Sequence, residues 1–153
     1  MDSYSKLLIR IKELADADDF INTVTNKGER DLDLEKGNVF PILDISVNGF
    51  TFPSEAVIRY SIEIVCVDLR DINKATADQD KFWDNDNLVD NMNEMMSSIN
   101  RIWLNLKRDF NDSNITASES PTGDAIVYEG KNIYDGWSLL FDVDIPNTTI
   151  SIC

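Results

Sequence analysis

Leu88, Met92, Met95, Ile99, Ile102, Leu106 and Phe110 recur at intervals of four, three, four, three, four and four residues. That spacing keeps them on one stripe of a long α-helix, and Trp103 widens the stripe. Asp86 or Asn87 is the expected N-cap, and Lys107 and Arg108 suit the negative pole at the other end. A helix apolar on one side only must lay that side on a second layer, so the rest of the chain has to supply one.

Two segments have the period of strands. Ala56, Ile58, Tyr60, Ile62, Ile64 and Cys66 alternate with Arg59, Ser61 and Glu63, while Val57, Val65 and Val67 make the ends apolar on both faces. This predicts a central strand whose second side is partly covered. Trp137, Leu139, Phe141, Val143 and Ile145 alternate with Ser138, Leu140, Asp142 and Asp144 and stop at Pro146. Shorter candidates are Phe20 to Thr25, Phe40 to Val47, Ile115 to Ala117 and Ala125 to Tyr128. Asn48-Gly49 favours the left-handed dihedrals of a tight hairpin turn. A first amphipathic helix carries Leu7, Leu8, Ile11 and Leu14 opposite Lys6, Arg10, Lys12 and Glu13, with Ser3 or Ser5 as cap and Asp16 to Asp19 as its end. The expectation is a single α+β domain over residues 1–153, an antiparallel sheet with two helices, one long, on one face. A doubly wound sheet is excluded because too few helices separate the strands.

Charge and composition narrow the function. Lys and Arg number 14 against 28 Asp and Glu, a net charge of -14, and the chain has no His. Without imidazole there is no Ser-His-Asp or Cys-His catalysis and no His-ligated zinc. So negative a chain does not clamp DNA or an anionic membrane, which takes a surplus of cations. The apolar runs are strand-length, short of the ~20 residues of a membrane helix, and no secretory signal is expected, since Met1 to Lys6 lacks the basic start and apolar run of one. Cys66 lies inside a strand pattern and Cys153 stands apart from it, which fits a reduced intracellular protein.

The acidic groups Asp16, Asp18 and Asp19, Asp31, Asp33 and Glu35, and Asp84, Asp86 and Asp90 lack the Gly and Glu positions of a calcium loop. They read as solvated loops and helix caps, and no metal or cofactor is expected. Phosphate loops and nucleophile elbows are absent. Asp142 and Asp144 share the polar face of a strand, where no cleft gathers carboxyls for acid-base work. Phe82 and Trp83 sit in the polar connection from Ile72 to Asn87 with no local reason for burial, and are expected to anchor that loop on the core or on a neighbour.

The strand Tyr60-Ser61-Ile62-Glu63-Ile64-Val65-Cys66-Val67-Asp68-Leu69, the long helix, and then Asp135-Gly136-Trp137-Ser138-Leu139-Leu140-Phe141-Asp142-Val143-Asp144-Ile145-Pro146-Asn147 follow in an order that resembles one family. It is similar to the neck and tail-completion (tail-terminator-like) proteins of tailed bacteriophages, including crAss-like and other phages of Bacteroidetes. The resemblance covers Phe40 to Cys153; Glu29 to Asn38 and Asp71 to Asn87 depart from it.

The resemblance implies a non-enzymatic virion protein, made in the host bacterial cytoplasm. It implies a sixfold or twelvefold ring at the head–tail junction, next to portal or connector and tail proteins, through which DNA passes without specific binding. Ring contacts call for protruding segments, and Glu29 to Asn38, Asn48 to Ser54 and Ser118 to Asn132 are the candidates. The contact residues expected are Glu29, Arg30, Asp31, Phe50, Phe52, Phe82 and Trp83. A different class, an acidic regulatory or inhibitor protein bound to a basic partner, fits the same charge. A small acidic hydrolase would need a converged carboxylate cleft, which the sequence does not display.

Overall fold

The computed structural model describes residues 4–26, 39–71, 87–113, 115–129 and 133–147. Helix α1 (Tyr4–Asp16) leads into the short strand β1 (Thr23–Thr25), followed by β2 (Ile42–Ser54) and β3 (Val57–Leu69). Helix α2 (Leu88–Asn111) separates these from β4 (Thr116–Ala117), β5 (Thr122–Glu129) and β6 (Tyr134–Pro146). The strands form one six-stranded sheet in the order β1-β2-β3-β6-β4, and β5 also lies against β6. β3 and β6 are therefore the centre, paired antiparallel along their whole lengths from Val57↔Pro146 to Leu69↔Tyr134.

The chain is α+β with two helices, one long, as the periodicities predict, but the sheet is mixed. β1 runs parallel to β2, from Thr23↔Ile42 to Thr25↔Asp44. Antiparallel order follows from hairpins, whereas β1 reaches β2 through a longer connection that leaves its direction free. Three local expectations also shift. The Phe20 to Thr25 strand shortens to Thr23–Thr25, because Ile21 is buried under the helices instead of extending the ladder. The strand expected at Ala125 to Tyr128 begins earlier, at Thr122. Asn48-Gly49 does not turn the chain: it forms a bulge inside β2, which continues to Ser54 and turns at Glu55-Ala56. Pro53 is tolerated there because it sits at a second irregularity in an outer part of the ladder.

Both helices lie on one face of the sheet. Leu7, Ile11 and Ala15 of α1 and Met95, Ile99, Ile102, Leu106 and Phe110 of α2 bury against Leu43, Ile45, Ile62, Ile64, Cys66, Leu139, Phe141, Val143 and Ile145. Trp103 packs its ring 5.0 Å from that of Phe141, and the Trp137 indole N–H donates to the Met92 carbonyl at 2.9 Å, tying α2 to β6. A smaller cluster of Ile42, Val65, Val67, Ile126 and Tyr134 covers one end of the opposite face. That cluster is the partial second cover that Val65 and Val67 predict.

Buried polar groups fix how these layers meet. Ser98 Oγ, on the apolar stripe of α2, donates to Asp18 at 2.8 Å, and Arg101 Nε donates to the other Asp18 oxygen at 2.8 Å. Arg10 Nε of α1 donates to Asp109 of α2 at 2.6 Å, and this bond raises the Arg10 pKa above its ordinary value. Asn87 stands at the start of α2 but its side chain does not cap the helix. It accepts the Asp71 N–H and donates to the Leu69 carbonyl, as does Asn91, so the pair staples α2 to the end of β3. Ser5 lies inside α1 and not ahead of it; Ser3 and Asp86 fall outside the described residues.

Candidate functional site

The β2–β3 hairpin is the site that the expected contact residues point to. Its inner half, up to Val47, is covered by the helices. From Asn48 to Ala56 every residue is exposed, so the outer part of β2 and the turn run out from under the two-layer core, while Ile58 of β3 is buried again. The bulge at Asn48 resets the pairing: Val47 faces Ile62 and Gly49 faces Ser61, after which Phe50 faces Tyr60 and Thr51 faces Arg59. Tyr60 alternates with Ile62 and Ile64, whose side chains lie under the helices, so the bulge places Phe50 on that same side where no helix covers it.

Phe50 and Phe52 are each 61% exposed and lie edge to face, ring centroids 5.4 Å apart. Phe50 also approaches Tyr60 at 6.5 Å, and Tyr60 meets Tyr4 at the start of α1 at 5.3 Å. Four aromatic rings thus form a connected cluster, in the offset and tilted arrangements that aromatic pairs favour. Exposed apolar side chains scattered singly are ordinary, whereas contiguous ones mark contact surfaces. Sequence reasoning finds Phe50 and Phe52 and misses Tyr4 and Tyr60. Tyr60 reads as a core residue by alternation and does pack, half-buried, against the core, while its cross-strand partner Phe50 links it to the exposed rings. Glu29, Arg30, Asp31, Phe82 and Trp83 lie outside the described residues.

On the opposite face of the same ribbon, Arg59 forms a fork to its cross-strand partner Asp144, with Nε and Nη2 donating at 2.6 and 2.8 Å. The hydrogen bond to Asp144 is the main reason the Arg59 pKa lies above its ordinary value. A shallow cavity of about 220 Å³ opens beside this pair, lined by Thr116, Ala117, Ser118 and Asp142 as well. Asp142 and Asp144 share this face as expected, but the guanidinium holds Asp144, which suits a cross-strand clasp and not a pair of carboxyls exchanging protons.

The other reactive groups serve the interior. Cys66 is fully buried, its Sγ 3.4 Å from Met95 Sδ, and burial pushes its thiol pKa far up. Such a thiol stays protonated and is a packing group, not a nucleophile. Asp44 is buried and accepts from Thr25 Oγ1 at 2.6 Å and Ser46 Oγ at 2.9 Å. Asp135 is buried and held by both nitrogens of the Arg70 fork at 2.7 and 2.8 Å. Among the described residues no three Cys, Asp or Glu side chains gather to hold a metal ion, and no helix is long and apolar enough to cross a membrane. Comparison with known proteins finds no family model that matches the chain and no curated protein similar to it.

Proposed function

We propose that the chain is a structural virion protein of a tailed phage, a tail-terminator-like subunit of a ring at the head–tail neck. The observation that carries this reading is the hairpin: its outer β2 half and turn, borne on the sheet, present exposed aromatic side chains beyond the helix-covered core. Aromatic side chains are enriched at the centres of interfaces, because they bury large area at small conformational cost. A closed ring joins one patch of each subunit to a different patch on the next, and a projecting element suits one side of such a contact. The net charge of -14 supports a channel component, since repulsion lets DNA slide past without sticking. The buried carboxylates Asp18, Asp44 and Asp135 each have a hydrogen-bonding role within the fold, which supports a structural and not an enzymatic task.

Native mass spectrometry over a concentration series, at low and moderate salt, tests the reading. A discrete sixfold or twelvefold species is the expected result. A monomer at every concentration that binds a basic protein one to one, and releases it as salt rises, would overturn it in favour of an acidic regulatory or inhibitor protein.

A further inference from the structure

Two dipeptides in the chain place Asn or Asp directly ahead of glycine, Asn48-Gly49 and Asp135-Gly136. Either can close a five-membered ring if the glycine nitrogen reaches the side-chain Cγ, and glycine shields that nitrogen least. The fold treats the two oppositely. Asp135 is fully buried, the Arg70 guanidinium holds both its oxygens at 2.7 and 2.8 Å, and the Gly136 backbone is pressed against Cys66 and Val67. That carboxyl has no freedom to turn toward the next nitrogen. Asn48 and Gly49 are exposed, and beyond the chain neighbours no heavy atom lies within 4 Å of where a Gly49 Cβ would stand.

The backbone at Asn48 also permits the attack. In a regular ladder, extended dihedrals and cross-strand bonds keep a side-chain Cγ away from the following nitrogen. Here the register passes from Val47↔Ile62 to Gly49↔Ser61 and leaves Asn48 without a cross-strand partner, so the ladder is disrupted at this residue. On the other flank, among the described residues, β1 pairs with β2 only as far as Asp44. The Asn48 amide donates to Glu63 Oε2 at 3.4 Å, past the usual range of about 2.7–3.2 Å, which restrains it weakly.

We propose that Asn48 is a self-modification site, where the chain deamidates with water as co-reactant and so alters the aromatic patch beside it. The Gly49 nitrogen gives its proton to solvent and bonds to Asn48 Cγ; the Cγ–Nδ2 bond breaks, and ammonia leaves with a proton taken from solvent. Water then opens the ring. Cleavage between Cγ and the nitrogen gives Asp. Cleavage between the Asn48 carbonyl carbon and the nitrogen gives isoaspartate, whose backbone runs through Cγ and is one methylene longer. One water is consumed, one ammonia is released, and nothing is oxidised or reduced.

Each product adds a negative charge to a chain already at -14. The Asp product sets a carboxylate where an amide faced Glu63, like charge against like. The isoaspartate product lengthens β2 two residues before Phe50 and moves that ring off its partner Tyr60. The modification needs no partner; only its effect on assembly rests on the ring reading.

The test incubates the full chain at mildly alkaline pH and maps its peptides by mass spectrometry, with electron-transfer fragmentation to separate Asp from isoaspartate. Asn48 should convert at least about tenfold faster than Asn93 and Asn100 on the exposed side of α2, while Asp135 stays unchanged. Gly49→Ala, which has open space and no left-handed φ to strain it, should slow the conversion at least about tenfold and leave the circular dichroism spectrum as it is. In native mass spectra the aged chain should lose the higher oligomers that equally aged Gly49→Ala keeps. Conversion of Asn48 in denaturant only, or no faster than Asn93, overturns the site. Conversion with undiminished oligomers overturns the effect on the patch and supports the site. If even fresh chains do not assemble, the ring reading fails, and the peptide map alone decides the site.

Discussion

β3 has two ends that are built to opposite rules. At its Leu69 end, polar side chains turn inward and every one is engaged: Arg70 grips buried Asp135, and Asn87 and Asn91 both donate to the Leu69 carbonyl. Beside its Val57 end, where Ile58 and its partner Ile145 are still buried, the outer part of β2 turns apolar side chains outward, and Phe50 and Phe52 are largely exposed. The first end gives up solvation of polar groups to gain a single geometry; the second gives up apolar burial to keep a surface available. Stability should therefore respond to changes at the first end and association to changes at the second.

The sharpest way to break the contrast is at Gly136. β6 comes so close to β3 there that a Cβ would overlap the Cys66 carbonyl oxygen and lie 2.9 Å from Val67 Cα. Gly136→Val should cost about 4 kcal/mol or prevent folding, because backbone has to move in the central strand pair; chemical denaturation measures it. Next comes Arg70→Ala, which strips the guanidinium from a fully buried carboxylate. A loss of about 3 kcal/mol is expected, and Arg70→Leu with Asp135→Leu should regain most of it in a double-mutant cycle. At the open end, Phe50→Ser with Phe52→Ser should shift the unfolding free energy by no more than about 0.5 kcal/mol while abolishing higher oligomers in sedimentation. A large loss of stability in that variant would mean the hairpin belongs to the core after all.

The smallest effect concerns pH. Asp68, half-buried near the closed end of β3, has its pKa raised chiefly by burial, which the Leu69 N–H bond partly offsets. A carboxyl with a raised folded pKa favours folding when protonated, and that contribution is lost as pH rises through the folded value. Asp68→Asn should therefore stabilise the protein at neutral pH, by about 0.5 kcal/mol at most given its exposure to solvent, and the gain should vanish below about pH 4. Denaturation midpoints at pH 7 and pH 3.5 give the comparison.

How far these two ends were legible beforehand differs for a physical reason. The stripe of α2 and the alternation of β3 and β6 are repeats along the chain, and Met95, Ile99, Ile102, Leu106 and Phe110 are buried where the period puts them. Asn91 and Ser98 are buried too, although their type suggests a surface, because Leu69 and Asp18 supply partners that lie far off in sequence. The parallel placement of β1 is non-local in the same way. Asn48-Gly49 carries a turn signal that is correct for the dipeptide, yet cross-strand pairing of Phe50 with Tyr60 converts it into a bulge. Phe50 and Phe52 fall in the segment Asn48 to Ser54 that the sequence suggests as protruding, and both are exposed there.

The central position of β6 has a consequence for how the molecule comes into being. β3 finds its main partner only when the chain has been made through Pro146, because Val57 pairs with Pro146 and Leu69 with Tyr134. Until then β3 lacks the strand that covers one of its two flanks. Closing so long a loop before the reward of pairing makes folding slow and late. Chains cut short of β6 should therefore bind holdase chaperones more than the full chain does, because their β3 edge has lost its main partner.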